Sequence, residues 1–90
     1  MFVIEDELHA ELHGEFQTRL QAIAELKRRA AIAWDKEPNR APCMGWASCG
    51  RRYELVEYDA RATPWKEVSR AMILDISAAG VQWLSEEQRP

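Results

Sequence analysis

The sequence lacks a segment that could place the protein in a membrane or mark it for export. No apolar run approaches the roughly 18–20 residues that a membrane-spanning helix requires. The apolar start at residues 2–4 is followed at once by acidic residues, and it is too short for the apolar region of a secretory signal peptide. We therefore expect a cytoplasmic protein that does not interact with membranes.

An excess of positive charge is also missing. The 90 residues include 12 lysines and arginines against 15 aspartates and glutamates, which gives a formal net charge of −3. Domains that bind nucleic acid are usually basic, so we do not expect nucleic acid as a partner. The hydrophobic share of 47% and the charged share of 30% are ordinary for a folded protein, and the length predicts one small domain.

Residue sets that typify catalysis are scarce. A C-x-x-C redox motif is absent from the sequence. Glu54 and Glu57 lie on opposite faces of a predicted strand, so they are not a natural acid–base pair. A cysteine nucleophile needs a base within hydrogen-bond distance, and nothing in the sequence places one there. We therefore predict a protein that is not an enzyme and that needs no cofactor.

The first third of the chain has the spacing of one long helix, from about residue 5 to residue 34. Acidic residues near its start and basic residues near its end complement the helix dipole. Glu25 and Arg29 are one turn apart and can pair. Apolar residues recur at steps of three or four, at Leu8, Leu12, Phe16, Leu20, Ile23, Leu26 and Ala30.

A helix of this length would extend about 40 Å, which is more than a small sheet can cover. Two alternatives follow from this excess of apolar surface. A second copy of the chain packs against the helix and forms a homodimer, or the helix breaks near Gly14 into two packed pieces. The sequence favours neither of them over the other.

The rest of the chain is predicted to form a loop and a small antiparallel sheet within residues 51–84. Prolines and glycines interrupt residues 35–50, which reads as a long loop. Alternation predicts strands at residues 52–59, 70–76 and 81–84, with a turn at residues 77–80. Residues 65–69 fit a helix start or a strand, and the polar tail at residues 85–90 is expected to fray. The predicted fold class is therefore α+β, a long N-terminal helix packed on two or three strands.

Both cysteines lie in the predicted loop, at Cys43 and Cys49. Five residues separate them, whereas compact zinc sites use two to four. His9 and His13 are one helical turn apart and would complete a weak zinc or thiol site with the cysteines. A reduced state is expected in the cytoplasm, and cysteine is most often a buried packing residue.

Arginines form the other candidate site. Gly50 would let backbone N–H groups approach an anion, and neighbouring guanidinium groups would add donors. The candidate residues for an anion or a partner are Arg40, Arg51, Arg52 and Arg61, with Trp46 for stacking.

Three functions remain open at this point. The first is a non-enzymatic interaction or regulatory module that acts as a homodimer, with a further protein partner also allowed. The second is a module that binds a small anion or nucleotide through these arginines, and the third is a zinc or thiol protein.

Overall fold

Five antiparallel strands form one sheet, and one helix packs against it. The structure is a computed structural model that describes residues 1–43 and 50–84. The strands follow one another across the sheet in the order β2-β1-β3-β4-β5. The elements are β1 (Phe2–Asp6), β2 (Glu11–Phe16), α1 (Arg19–Ala30), β3 (Gly50–Asp59), β4 (Lys66–Ser77) and β5 (Gly80–Trp83).

The long helix predicted over residues 5–34 is wrong. Its first half is a β-hairpin, and only Arg19–Ala30 are helical. The backbone departs from helical geometry at Ala10, with φ of 52°, and at Gly14, with φ of 137°. The predicted apolar stripe does not face a core there, since Leu12 is 73% exposed. The fold is therefore mostly β with one short helix, and the argument for a dimer of long helices no longer applies.

The sequence around Thr18 explains why the helix begins where it does. The hydroxyl of Thr18 accepts a hydrogen bond from the backbone N–H of Gln21, and the Gln21 side chain accepts one from the N–H of Thr18. This reciprocal capping box satisfies N–H groups that the first helical turn leaves without partners. The predicted pairing of Glu25 with Arg29 is confirmed, with 2.6 Å between Oε2 and Nε.

The hydrophobic core lies between α1 and one face of the sheet. The helix contributes Ile23 and Leu26, which are buried on the side that faces the strands. Burial of an aliphatic side chain of this size stabilises the fold by about 1.5–3 kcal/mol. The strand residues of this core are Ile4, Tyr53, Leu55, Ile73, Leu74 and Ile76.

The strands predicted in the second half of the chain are confirmed, although they are longer or shifted at their ends. Residues 52–59 lie within β3, and residues 70–76 lie within β4, which begins at Lys66. The open question at residues 65–69 is therefore resolved as strand from residue 66 onward. The expectation for the tail at residues 85–90 lies outside the described residues.

Candidate functional site

A group of charged and polar side chains is enclosed at one end of the sheet, and we call it the Asp6 cluster. It consists of Asp6, His9, Glu11, His13 and Arg51. Asp6 ends β1, Glu11 and His13 belong to β2, and Arg51 lies near the start of β3. Because β1 pairs with both β2 and β3, three strands bring these residues together.

Asp6 is fully buried and accepts four hydrogen bonds. Its Oδ1 accepts from the backbone N–H groups of Leu8 and Arg52, each at 3.1 Å. Its Oδ2 accepts from His9 Nδ1 at 2.6 Å and from Arg51 Nη1 at 2.8 Å. Burial alone raises the pKa of Asp6, but the hydrogen bonds from Arg51, His9 and Arg52 outweigh burial and lower it below its usual value. The carboxylate is therefore ionised.

Arg51 connects two strands to the segment that follows the helix. Its Nη1 donates to Glu11 as well as to Asp6, and its Nη2 donates to the carbonyl oxygen of Arg40 at 2.6 Å. The hydrogen bond from Arg51 lowers the pKa of Glu11. Because a buried charge without a partner is strongly destabilising, Arg51 and its acidic partners depend on one another.

His13 is held in its neutral form by its neighbours. Arg29 Nη1 donates to His13 Nδ1 at 2.9 Å, so the ring proton lies on Nε2, which faces Glu11 Oε1 at 3.3 Å. Burial is the main cause that lowers the pKa of His13, and the positive charges of Arg29 and Arg51 lower it further. The guanidinium of Arg29 also lies 5.1 Å from the centre of the Tyr53 ring.

Asn39 fastens the segment after α1 to the sheet. Its Nδ2 donates to the carbonyl oxygens of Arg29 and Ile32, both at 2.9 Å, and its Oδ1 accepts from the Tyr53 hydroxyl at 3.0 Å. All of these groups are buried or partly buried, so each bond replaces one that water would otherwise make. The segment that leads to Cys43 therefore has a fixed position beside the Asp6 cluster.

Cys43 lies next to His9. The distance from His9 Nε2 to Cys43 Sγ is 3.2 Å. His9 Nδ1 faces the Asp6 carboxylate, so Nε2 is the ring nitrogen that faces the sulfur. Cys43 is disulfide-bonded, which differs from the reduced state that we predicted. Cys49, the only other cysteine of the sequence, lies outside the described residues.

The predicted zinc ligands do not come together as a set. His9 contacts Cys43, whereas His13 contacts Glu11 and Arg29, and a sulfur in a disulfide is not the thiolate that zinc requires. Asp6, Glu11 and His13 do offer ligand atoms within 4.8 Å of one another. However, the Arg51 guanidinium binds both carboxylates, and it supplies the positive charge that a metal would bring.

The four candidate arginines do not form one surface. Arg51 points into the Asp6 cluster, which Arg40 contacts through its carbonyl group and Arg52 through its backbone N–H. Arg52 is the next residue along β3 and forms ion pairs with Glu7 and Asp75, at 3.8 and 3.6 Å. Arg61 follows the other end of β3 and pairs with Asp59 at 3.0 Å. Trp46, the predicted stacking residue, lies outside the described residues.

A second region of interest is the outer side of β4 at residues 66–72, which we call the β4 edge. β3 pairs with these residues on their inner side. β5 pairs with β4 only through residues 74–77, so no strand in the described part of the chain pairs with the outer side of residues 66–72. All seven of these residues are exposed. They include Val68, which is 60% exposed, and Met72, and Trp65 precedes them.

Sequence reasoning missed the residues that hold the Asp6 cluster together. Asp6 and Glu11 looked like acidic residues that favour a helix start, and Asn39 looked like a loop residue. The available signal was the pair Thr18 and Gln21, whose spacing marks a helix N-terminus and therefore separates the preceding segment from the helix.

Comparison with family models, curated proteins and solved structures finds no match for this chain. Over residues 1–43 and 50–84, no helix has the length and apolar character needed to cross a membrane.

Proposed function

We propose that this protein is a non-enzymatic interaction module, and that its partner is a second copy of the chain, bound along the β4 edge. The observation that carries the proposal is the row of backbone groups at residues 66–72 that faces outward beside exposed apolar side chains. Such an edge is a template for another strand. Each hydrogen bond formed there contributes about 0.5–1.5 kcal/mol.

The distribution of charge along the β4 edge supports a second copy as the partner. An antiparallel pair with its two-fold axis at Ser69 would place Val68 of one copy opposite Arg70 of the other, and Glu67 opposite Ala71. No two like charges then lie opposite one another, which is a requirement of stable cross-strand pairs. Within each copy, Arg70 is already paired with Glu54 and Glu67, at 2.6 and 2.8 Å, so its charge needs no further partner.

The oligomeric state tests this proposal. Sedimentation equilibrium of the wild-type protein is expected to give twice the mass of one chain. Val68→Lys is expected to give the mass of one chain, because a lysine at the centre of a strand edge opposes pairing. Leu20→Lys is the matched control, since Leu20 is exposed and lies on the helix rather than on a strand edge, and its dimer should persist.

Two results would overturn the proposal. One is a wild-type protein that sediments as a single chain across the accessible concentration range. The other is a dimer that survives Val68→Lys while it dissociates in Leu20→Lys, because that result places the contact on the helix.

A further inference from the structure

We propose that Cys43 is a thiol–disulfide exchange site, in which His9 acts as its base and Asp6 positions His9, with small organic disulfides as the co-reactant. This inference rests on the side chains around Cys43 and is independent of the β4 edge. It assigns chemistry to a residue that sequence reasoning treated chiefly as packing.

The geometry places the three side chains in a line. Asp6 Oδ2 accepts from His9 Nδ1 at 2.6 Å, and His9 Nε2 lies 3.2 Å from Cys43 Sγ. An activated cysteine requires a base within hydrogen-bond distance and a third group that orients the base. Asp6 meets the second requirement because it is itself fixed by four donors, including Arg51.

A purely structural pairing does not explain this arrangement well. A cysteine that forms only a structural disulfide needs no charged neighbour, whereas Cys43 faces an imidazole that is anchored to a buried carboxylate. The same pair would stabilise a thiolate in the reduced chain, because the proton from sulfur can move to Nε2 while Asp6 balances the imidazolium charge. Asp6, Glu11 and Arg51 are the other charged groups of this cluster.

The exchange can be written with its electrons balanced. In the reduced chain the Cys43 thiolate attacks one sulfur of the external disulfide, so a new S–S bond forms and the old one breaks, and the second sulfur leaves with the electron pair and takes up a proton. The product is a mixed disulfide between Cys43 and one half of the co-reactant. One S–S bond and one thiol stand on each side of this exchange, so it needs no further oxidant or reductant.

A small co-reactant can reach this position. The His9 side chain retains 17% exposure, and Cys43 is itself only partly buried. A surface pocket of about 360 Å³ extends to Pro42, the residue before Cys43, and is lined also by Glu37, Arg40, Ala41 and Arg51.

The main test measures exchange at Cys43 alone. In a Cys49→Ser background, the reduced protein is mixed with the chromogenic disulfide dithiobis-nitrobenzoate, and the rate of thiolate release is followed against pH. His9→Gln is expected to slow the reaction about three- to tenfold near neutral pH. The parent has more of its Cys43 as thiolate, and the lower nucleophilicity of that thiolate offsets only part of this advantage. The pH of half-maximal rate should also rise by about one to two units.

Arg61→Gln in the same background is the control. Arg61 is exposed, follows the other end of β3 and pairs with Asp59, outside the Asp6 cluster. Circular dichroism establishes that each variant is folded, and His9→Asn replaces His9→Gln if the latter unfolds. Equal rates and equal pH profiles for the parent and the His9 variant would reject the proposal, as would an equal shift in the Arg61 variant.

The positioning role of Asp6 has a spectroscopic test that needs no substitution. Nitrogen NMR of the imidazole rings is expected to show a proton on His9 Nδ1 in the folded, reduced protein, both when Nε2 is free and when it has taken the proton of Cys43. A His9 ring protonated on Nε2 alone would contradict the role of Asp6, because Nε2 could not then accept a proton from Cys43.

Discussion

The Asp6 cluster and the β4 edge lie on opposite sides of β3, and both contain charged side chains. In the Asp6 cluster Asp6 and Arg51 are buried and Glu11 is partly exposed, and each of these charges bonds to another member or to the backbone. At the β4 edge the side chains are exposed, and within residues 1–43 and 50–84 the outward backbone groups have no partner strand.

This difference separates what stabilises the molecule from what remains available to another molecule. Removal of one charge from the Asp6 cluster leaves its partner in a poorly solvated place, so substitution there acts on folding. Substitution at the β4 edge leaves a side chain in water and acts on association. Three experiments test this contrast.

The largest effect is expected from Asp6→Asn. Arg51 loses its buried counter-charge, and the free energy of unfolding should fall by about 3–5 kcal/mol in urea or thermal denaturation. Asp59→Asn is the matched control, since Asp59 pairs with the exposed Arg61, and its loss should leave the midpoint unchanged. Similar small changes in both variants would show that the Asp6 cluster is no more important for folding than a surface ion pair.

A smaller effect is expected from the valines of neighbouring strands. Val56→Ala removes a fully buried side chain of β3 and should lower the free energy of unfolding by about 1.5–3 kcal/mol. Val68→Ala, at the β4 edge, should change it by less than about 0.5 kcal/mol. The contrast fails if denaturation of a dilute, monomeric sample shows equal losses for the two variants.

The smallest effect is a dependence of stability on pH that comes from His13. Its pKa in the folded protein lies below the ordinary value of 6.5, so between these two values the unfolded chain binds more protons. The contribution of His13 to stability is thus fully present above pH 6.5 and is lost as the pH falls below it. Unfolding midpoints between pH 7 and pH 5 should fall more steeply for the wild type than for His13→Gln.

The carboxylates lose their contribution to stability at lower pH than His13 does, so the two effects can be separated. Arg28, opposed by partial burial and assisted by Arg29, lowers the pKa of Glu25 to about 2. The contribution of Glu25 to stability is lost only as the pH falls from 4.5 towards about 2. Identical slopes in the wild type and His13→Gln above pH 5 would show that the fold does not lower the pKa of His13.

The second half of the fold was predictable from the sequence because its signals are local. Alternation in β3 and the turn residues before Gly80 specify a strand and a hairpin within a few residues. The helical spacing of apolar residues from Leu20 to Ala30 correctly predicts α1. The prediction is wrong where the same spacing is followed back to Leu12, whose side chain is exposed on a strand.

The Asp6 cluster could not be predicted, because it depends on contacts between distant residues. Arg51 meets Asp6 across 45 positions of the sequence, and only the pairing of β1 with β3 makes them neighbours. The contact of His9 with Cys43, across 34 positions, likewise requires Asn39 to fix the segment after α1. The four candidate arginines lie close together in the sequence but do not form one surface. Arg51 and Arg52 are consecutive on β3, and neighbouring residues of a strand face opposite ways.

The placement of β1 between β2 and β3 also bears on the order of events in folding. Pairing with β2 needs only a short turn, whereas pairing with β3 joins positions as distant as Met1 and Tyr58, 57 residues apart. The entropy of closing so long a loop must be overcome before those contacts stabilise anything, and non-local pairing of this kind typically slows folding to milliseconds or seconds. We therefore expect the chain to acquire its local hairpins and helix early, and the pairing of β1 with β3 to limit the rate at which the native state forms.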